Sequence, residues 1–164
     1  KYLTTQAKDD PLEYVHGEVG FNYRLTNVAA AIGCAQVEQI ESFLANKRAI
    51  ADRYAAGLSD VPGITTMPEA SWARSARWLY TILSDENLFG MSSRALLRRL
   101  ADKGIQTRPL WQPAHQSTAH AHAPRADCPI ATRLHRDALS LPSSVALTQS
   151  DQGRVIAAIR DEAR

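Results

Sequence analysis

The sequence predicts an α+β fold: a long helix feeding a small antiparallel or mixed sheet with helices on one face. Three observations carry this. Apolar residues recur at helical spacing from Val28, Ala31, Ile32 and Ala35 through Ile40, Phe43, Leu44, Ile50 and Tyr54 to Leu58. Beyond Pro62, short runs rich in aromatic and β-branched residues alternate with capped helical runs. Their order is strand, strand, helix, strand, helix, strand, helix, which suits one layer of helices on one small sheet.

Composition sets the outer bounds. A chain of 164 residues suffices for one core, or for a small domain with a helical extension. At 45% hydrophobic and 22% charged it has the make-up of an ordinary soluble domain. A formal net charge of +2 gives no reason to expect nucleic acid. No apolar run approaches the roughly 20 residues that span a bilayer, and no signal peptide follows Lys1. The cysteines, Cys34 and Cys128, have neither metal nor redox spacing, so a reducing cytoplasm is expected. Cys34, inside the helical pattern, reads as a small buried residue. Because the chain opens on Lys1 in mid-pattern, it is expected to be a piece of a longer polypeptide.

Taken in order, residues 2–14 are polar, carry Pro11, and read as an irregular lead-in. Residues 18–27, EVGFNYRLTN, form a loop in which Gly20 permits a tight turn. Asn22, Tyr23 and Arg24 then present an amide, a phenol and a guanidinium in succession, and Thr26 or Asn27 caps the helix that follows. Such a loop suits an anionic group such as phosphate; an ordinary capping turn is the plain alternative. An unbroken helix over 26–58 would span roughly 50 Å at ~1.5 Å per residue, too long for one small core. It is expected to bridge two bodies or to kink, with Gly33 as the weak point and with Gly57 and Pro62 as the stop. The expected division is a loop region at 1–26, a connecting helix at 27–58 and a small α+β domain at 59–164.

Within that domain, residues 64–67 read as a short strand closed by Pro68, and 77–83 as a stronger one. Ser92 or Ser93 caps a helix with stripe Leu96, Leu97 and Leu100, ended by Gly104. Its basic side, Arg94, Arg98, Arg99 and Lys103, reads as a solvated face. Residues 105–110 resume as a strand, and 112–127 form a long loop. Within it His115, His120 and His122, with Cys128, fit no familiar zinc spacing, and no metal is assigned. Pro129 suits a first helical position ahead of Ile130, Leu134 and Ala138. Residues 138–141 form a strand stopped by Pro142. Thr148 and Asp151 make a capping pattern for a last helix that buries Val155, Ile156 and Ile159.

The stretch YVHGEVGFNYRLTNVAAAIGCAQVEQIESFLANKRAIADRY resembles the segment following the lysine-bearing part of the DegT/DnrJ/EryC1/StrS family. These are pyridoxal-phosphate enzymes that aminate nucleotide-linked keto-sugars. The opening YLTTQAKDDPLEYVHGEVGFNYRLTN further resembles members acting on NDP-4-keto-6-deoxyhexoses, of the perosamine and legionaminate pathways. GIQTRPLWQPAHQ and ALSLPSSVALT are similar to later family stretches. The resemblance runs through nearly all of this chain, yet covers only the C-terminal part of such an enzyme. It implies the small C-terminal domain of a fold-type I aminotransferase, preceded by a connecting helix and a remnant of the large-domain edge at 1–26.

The resemblance also implies roles. The family's cofactor-bonding lysine stands in an S-x-S-x-x-K context that none of Lys1, Lys8, Lys47 and Lys103 has, and its pyridine-facing aspartate also lies upstream. No catalytic residue is therefore expected here, and the chain alone should be inactive. Asn22, by its NYR motif, corresponds to an asparagine that reaches across a homodimer to the cofactor phosphate. His16 and Arg24 are implied to face substrate or phosphate. Arg108 and His115, in TRPLWQPAHQ, are implied near the sugar nucleotide, where an arginine fork suits a diphosphate. Trp111 reads as a packing residue. The implied partners are glutamate, a nucleotide-linked keto-6-deoxyhexose and a second subunit, in surface polysaccharide or glycan synthesis, with no nucleic acid and no membrane. Two rivals remain open at this stage: a stand-alone α+β anion-binding or regulatory module, and a structural domain that dimerises through the long helix.

Overall fold

The computed structural model describes residues 2–8 and 15–163 and, at His120, the backbone alone. The part of the lead-in at residues 9–14, with Pro11, lies outside the described residues. The chain divides into two compact units, Lys1–Glu41 and Ser42–Arg164, a boundary that falls within the expected connecting helix.

In the first unit, backbone pairing does the work of a core. Residues 2–8 turn back through left-handed Gln6 (φ 66°) and Ala7 (φ 52°). The Phe21 N–H donates to the Leu3 carbonyl (2.8 Å), the Gln6 N–H to Phe21 (3.1 Å) and the Tyr23 N–H to Thr4 (3.0 Å), with Thr5 and Asn22 forming an antiparallel bridge. Gly20 is required here for close approach, since a Cβ would lie 2.4 Å from the Ala7 nitrogen. Helix α1 (Asn27–Glu38) then starts at Thr26, whose Oγ1 accepts from the Ala29 N–H at 3.2 Å. None of its residues is buried. Cys34, expected to be buried, is exposed: it lies on a helix that has no interior.

The helix breaks at Gln39 and not at Gly33. The Gln39 N–H turns to the Gln36 and Val37 carbonyls, and its side-chain Nε2 donates to Ala35 (3.1 Å), the carbonyl that the regular ladder would have given to that N–H. Gly33 stays helical, with nothing within 4 Å of an added Cβ. Helix α2 (Ile40–Leu58) follows and buries Ile50, Ala51, Tyr54 and Leu58 on one stripe. Gly57 is part of α2, not its stop. It admits Ile156, whose Cδ1 would sit 2.8 Å from a Cβ there.

The second unit is a four-stranded, wholly antiparallel sheet: β1 (Ile64–Thr65), β2 (Tyr80–Ser84), β3 (Arg108–Pro109) and β4 (Ala138–Leu141), ordered β1-β2-β4-β3. Tyr80 pairs with Leu141 and Ile82 with Leu139, so these four share one face. That face packs into a single core with α2, α4 (Ser93–Asp102) and α6 (Gln149–Arg160). Ser92 and Thr148 cap α4 and α6 as expected, and Gly104 closes α4 at φ 71°. Val155 and Ile159 are buried and Ile156 is partly so. A short helix α3 (Glu86–Phe89), capped by Asp85, escaped the sequence reading because its pattern is one turn long. Helix α5 (Pro129–Asp137) begins on Pro129 as expected and borders the opposite face of the sheet.

Arg94 is not part of a solvated face. Its guanidinium donates to the His135 (2.8 Å) and Ala138 (3.1 Å) carbonyls, capping the end of α5. Among the described residues, no helix is long and apolar enough to cross a membrane.

Two predictions follow from this packing. Gly63 has φ 76°, and a Cβ there would meet the Phe89 nitrogen at 2.3 Å. Gly63→Ala should cost about 1–3 kcal/mol of stability or more, seen as a lower urea midpoint, whereas Gly33→Ala should be neutral or raise helix content. Burial pushes the Tyr54 and Tyr80 hydroxyls above their ordinary pKa. The neutral phenols therefore contribute stability that is complete below about pH 10 and lost as pH rises beyond it. Tyr54→Phe should flatten this alkaline loss in pH-dependent unfolding.

Candidate functional site

The five candidate residues divide between the two units. In the first, Asn22 sits on the Thr5 bridge with its backbone fixed on both sides, and its side chain is exposed and without a hydrogen-bond partner among the described residues. Arg24 is likewise exposed. Phe21 and Tyr23 stack beside them, with ring centroids 5.2 Å apart. His16 lies 2.6 Å through Nδ1 from the Gln6 carbonyl, which can only accept, so Nδ1 carries the proton and Nε2 is left for another partner. Exposed donors on a hydrogen-bonded backbone, beside a helix start, suit an anionic group of phosphate type.

In the second unit Arg108 lines a cleft of about 850 Å³ between the start of β2, the end of β3 and the chain beyond β4. His115 does not join it. It lies in a one-turn helix at Ala114–Gln116, with Nε2 3.0 Å from Thr132 Oγ1, and borders a separate hollow with Cys128. Proximity in sequence did not become proximity at a site: the chain up to Gln112 lines the cleft, and from Pro113 onward it borders the other hollow. The His120 side chain lies outside the described residues. Among those described, no three His, Cys, Asp or Glu side chains gather as a metal site.

The cleft also holds residues that sequence reasoning passed over. Lys47, on α2, donates through Nζ to the Trp78 (2.6 Å) and Ser143 (2.5 Å) carbonyls, and burial lowers its pKa. Its spacing of seven from Tyr54 put it on the buried stripe, a signal present in the sequence. Trp78 and Trp111 both line the cleft and stand nearly parallel, 5.9 Å between centroids at 12°. Packing for Trp111 thus gives way to a surface stack, 66% exposed.

The loop leading to Trp78 is braced. Arg77 is left-handed at φ 51°, a conformation costing of order 1–3 kcal/mol unless its surroundings hold it. Its guanidinium bonds the Met67 and Pro68 carbonyls and Glu69 (3.2 Å). Glu69 also accepts the Ser75 N–H and pairs with Arg48. The Ser75 N–H, then the two arginines, hold its carboxyl below the usual range.

Known proteins align with this arrangement. The model of the DegT/DnrJ/EryC1/StrS aminotransferase family matches residues 3–160. EpsN of Bacillus subtilis (strain 168), whose name places it among pyridoxal phosphate-dependent aminotransferases, is 34% identical over 162 residues, which is 95% of this chain and 40% of EpsN. GDP-perosamine synthase of Caulobacter vibrioides is 35% identical over 160 residues, 97% of this chain and 43% of that protein. The crystal structure of the aminotransferase TlmJ from Streptoalloteichus hindustanus superposes with a TM-score of 0.87 at 30% identity, covering 98% of this chain and 43% of TlmJ. The chain thus spans about two fifths of the length of these relatives. With a family match that takes in both units and a fold shared along nearly its whole length, the chain belongs to the DegT/DnrJ/EryC1/StrS aminotransferases.

Proposed function

We propose that this chain is the C-terminal portion of a pyridoxal-phosphate-dependent sugar aminotransferase. The complete enzyme moves an amino group from glutamate to the keto carbon of a nucleotide-linked 6-deoxyhexose, for surface polysaccharide or glycan synthesis, and works as a cytoplasmic homodimer. The observation that carries the reading is Asn22: an unpartnered amide on a pinned rung, in the position of the family's NYR motif.

Bound pyridoxal phosphate would supply the electron sink through which an amino group changes owner. This chain's residues bind and orient. The Asn22 amide would hold the cofactor phosphate of the partner subunit, and Arg24 would add positive charge. His16, its tautomer set by Gln6, offers Nε2 to a substrate hydroxyl. Arg108 presents its fork to the diphosphate from the rim of the cleft. His115 stands in the same motif and is assigned to the sugar-nucleotide subsite on that ground, with its Nε2 engaged by Thr132. None of the chain's lysines is assigned the covalent role. The unburied α1, with Val28 72%, Ile32 61% and Val37 66% exposed, is the surface through which the chain associates.

Two measurements test this. Incubating the chain with pyridoxal phosphate, followed by borohydride reduction and peptide mapping, should yield no stoichiometric pyridoxyl-lysine; one specific adduct would refute the assignment. In the complete enzyme Asn22→Ala removes one hydrogen bond to a charged group, worth about 1.5–3 kcal/mol, so cofactor affinity should fall roughly ten- to a hundredfold. Heterodimers of Asn22→Ala subunits with subunits lacking the cofactor-bonding lysine should recover one site of wild-type affinity. Finding no such site would sink the cross-subunit role.

A further inference from the structure

We propose that Trp78 and Trp111 form a stacking platform for the base of the nucleotide whose diphosphate faces Arg108; this rests on the nucleotide-sugar reading above. The two indoles are 68% and 66% exposed, although tryptophan is a residue that folding normally covers. They are nearly parallel, at 12°, and both line the cleft that Arg108 borders. A planar heterocycle laid on such a wall gains contact whatever its identity, because every base has a π-face. Gln106 and Gln112, also lining the cleft, carry amides that can both donate to and accept from a ring edge.

Each half of the platform is held by its own anchor. The Trp78 carbonyl receives the Lys47 ammonium, and the preceding Arg77 is fixed by Glu69. Trp111 follows Leu110, whose carbonyl accepts from His135 Nδ1 at 2.8 Å. The rings therefore meet because two independent backbone clamps bring them together, and not because a core encloses them. A wall fixed before the ligand arrives loses little freedom on binding. Trp72, 89% exposed and not part of the cleft, serves as an internal control.

The test uses the complete enzyme with GDP, UDP and pyrophosphate as probes, read by calorimetry and by acrylamide quenching of tryptophan fluorescence. A nucleoside diphosphate should bind at least about tenfold more tightly than pyrophosphate and should shield tryptophan from acrylamide. Trp111→Ala and Trp78→Ala should each cut that advantage by about five- to a hundredfold, the range that base stacking supports, while pyrophosphate affinity holds. Trp111→Phe should keep most of it, and Trp72→Ala all of it. Retention of the full advantage in both alanine variants overturns the platform, as does shielding of both indoles from acrylamide before any nucleotide is added. Equal loss of pyrophosphate and nucleotide binding overturns it too, since the tryptophans would then be structural. An enzyme that aminates a nucleotide-linked keto-sugar while the alanine variants keep their advantage refutes the platform and leaves the function standing. An enzyme that binds no nucleoside diphosphate refutes both.

Discussion

The burial of Tyr54 is the constraint on which the second unit depends. Its ring is fully buried and stacks on Tyr80 with centroids 5.1 Å apart, and its hydroxyl donates to the Pro142 carbonyl at 2.8 Å. One side chain thereby fixes α2 to the face of β2 and to the chain leaving β4. A phenol taken out of water without a partner is costly, and the Pro142 carbonyl, at the point where β4 stops, supplies Tyr54 with one. The rotation of α2 follows. Two turns toward its start, Lys47 comes to the same side and spans the Trp78 and Ser143 carbonyls. On the other flank Arg53 donates to Gln152 Oε1, while the Gln152 amide donates to the Ile50 carbonyl, both at 2.6 Å. Gln152 is buried on α6 with both ends satisfied, so α6 has one register against α2. The cleft is thus a product of the core: helix rotation sets Lys47, Lys47 sets Trp78, and the wall follows.

What the sequence made legible were the features whose cause is local. Thr26, Ser92 and Thr148 cap their helices because a hydroxyl reaches N–H groups three residues on, and Pro129 opens α5 because its φ is already helical. The strand read at 77–83 from its aromatic and β-branched run appears at 80–84, its start displaced by the left-handed Arg77, and the one read at 138–141 appears there. What stayed hidden depends on distant chain. Gly57 looked like a stop, but its missing side chain is filled by Ile156. Gly20 looked like a turn, but it serves the approach of Ala7. The break at Gln39 has neither glycine nor proline to announce it; an amide that can replace a backbone donor is a weak signal in any sequence. Arg94 looked solvated because its partners, the carbonyls at the end of α5, lie more than forty positions away.

The site shows the same division. Asn22 and Arg24 were legible as a polar pair before a helix, and the structure leaves both exposed. Arg108 was legible as a cation at a strand end and does border a cleft. His115 was grouped with it by motif, yet it borders another hollow. Lys47 was masked by its setting: a lysine on a helix is usually solvated, and only its alignment with Tyr54 marks it as different.

The two units meet the cost of order differently. The second unit buries a continuous core from Ile50 to Ile159, and its loops are tied down from that core. The first has Ala7 as its only fully buried apolar side chain among the described residues, while Val19, Tyr23, Leu25 and Val28 stand exposed. Backbone pairing alone is a thin defence against the entropy of forty residues, at about 1–2 kcal/mol each. Its left-handed Gln6 and Ala7 add strain, offset within the unit by backbone hydrogen bonds such as Gln6 N–H to Phe21 and Ala7 N–H to Tyr2. A segment so arranged keeps its shape when its apolar surface is covered from outside. That surface flanks Asn22 and Arg24, both of them exposed. On the proposed function, covering these apolar side chains and engaging Asn22 and Arg24 would be one event, since both sets lie on the same exposed loop. The proposed binding residue Asn22 thus sits in the unit that buries the least of its own apolar surface.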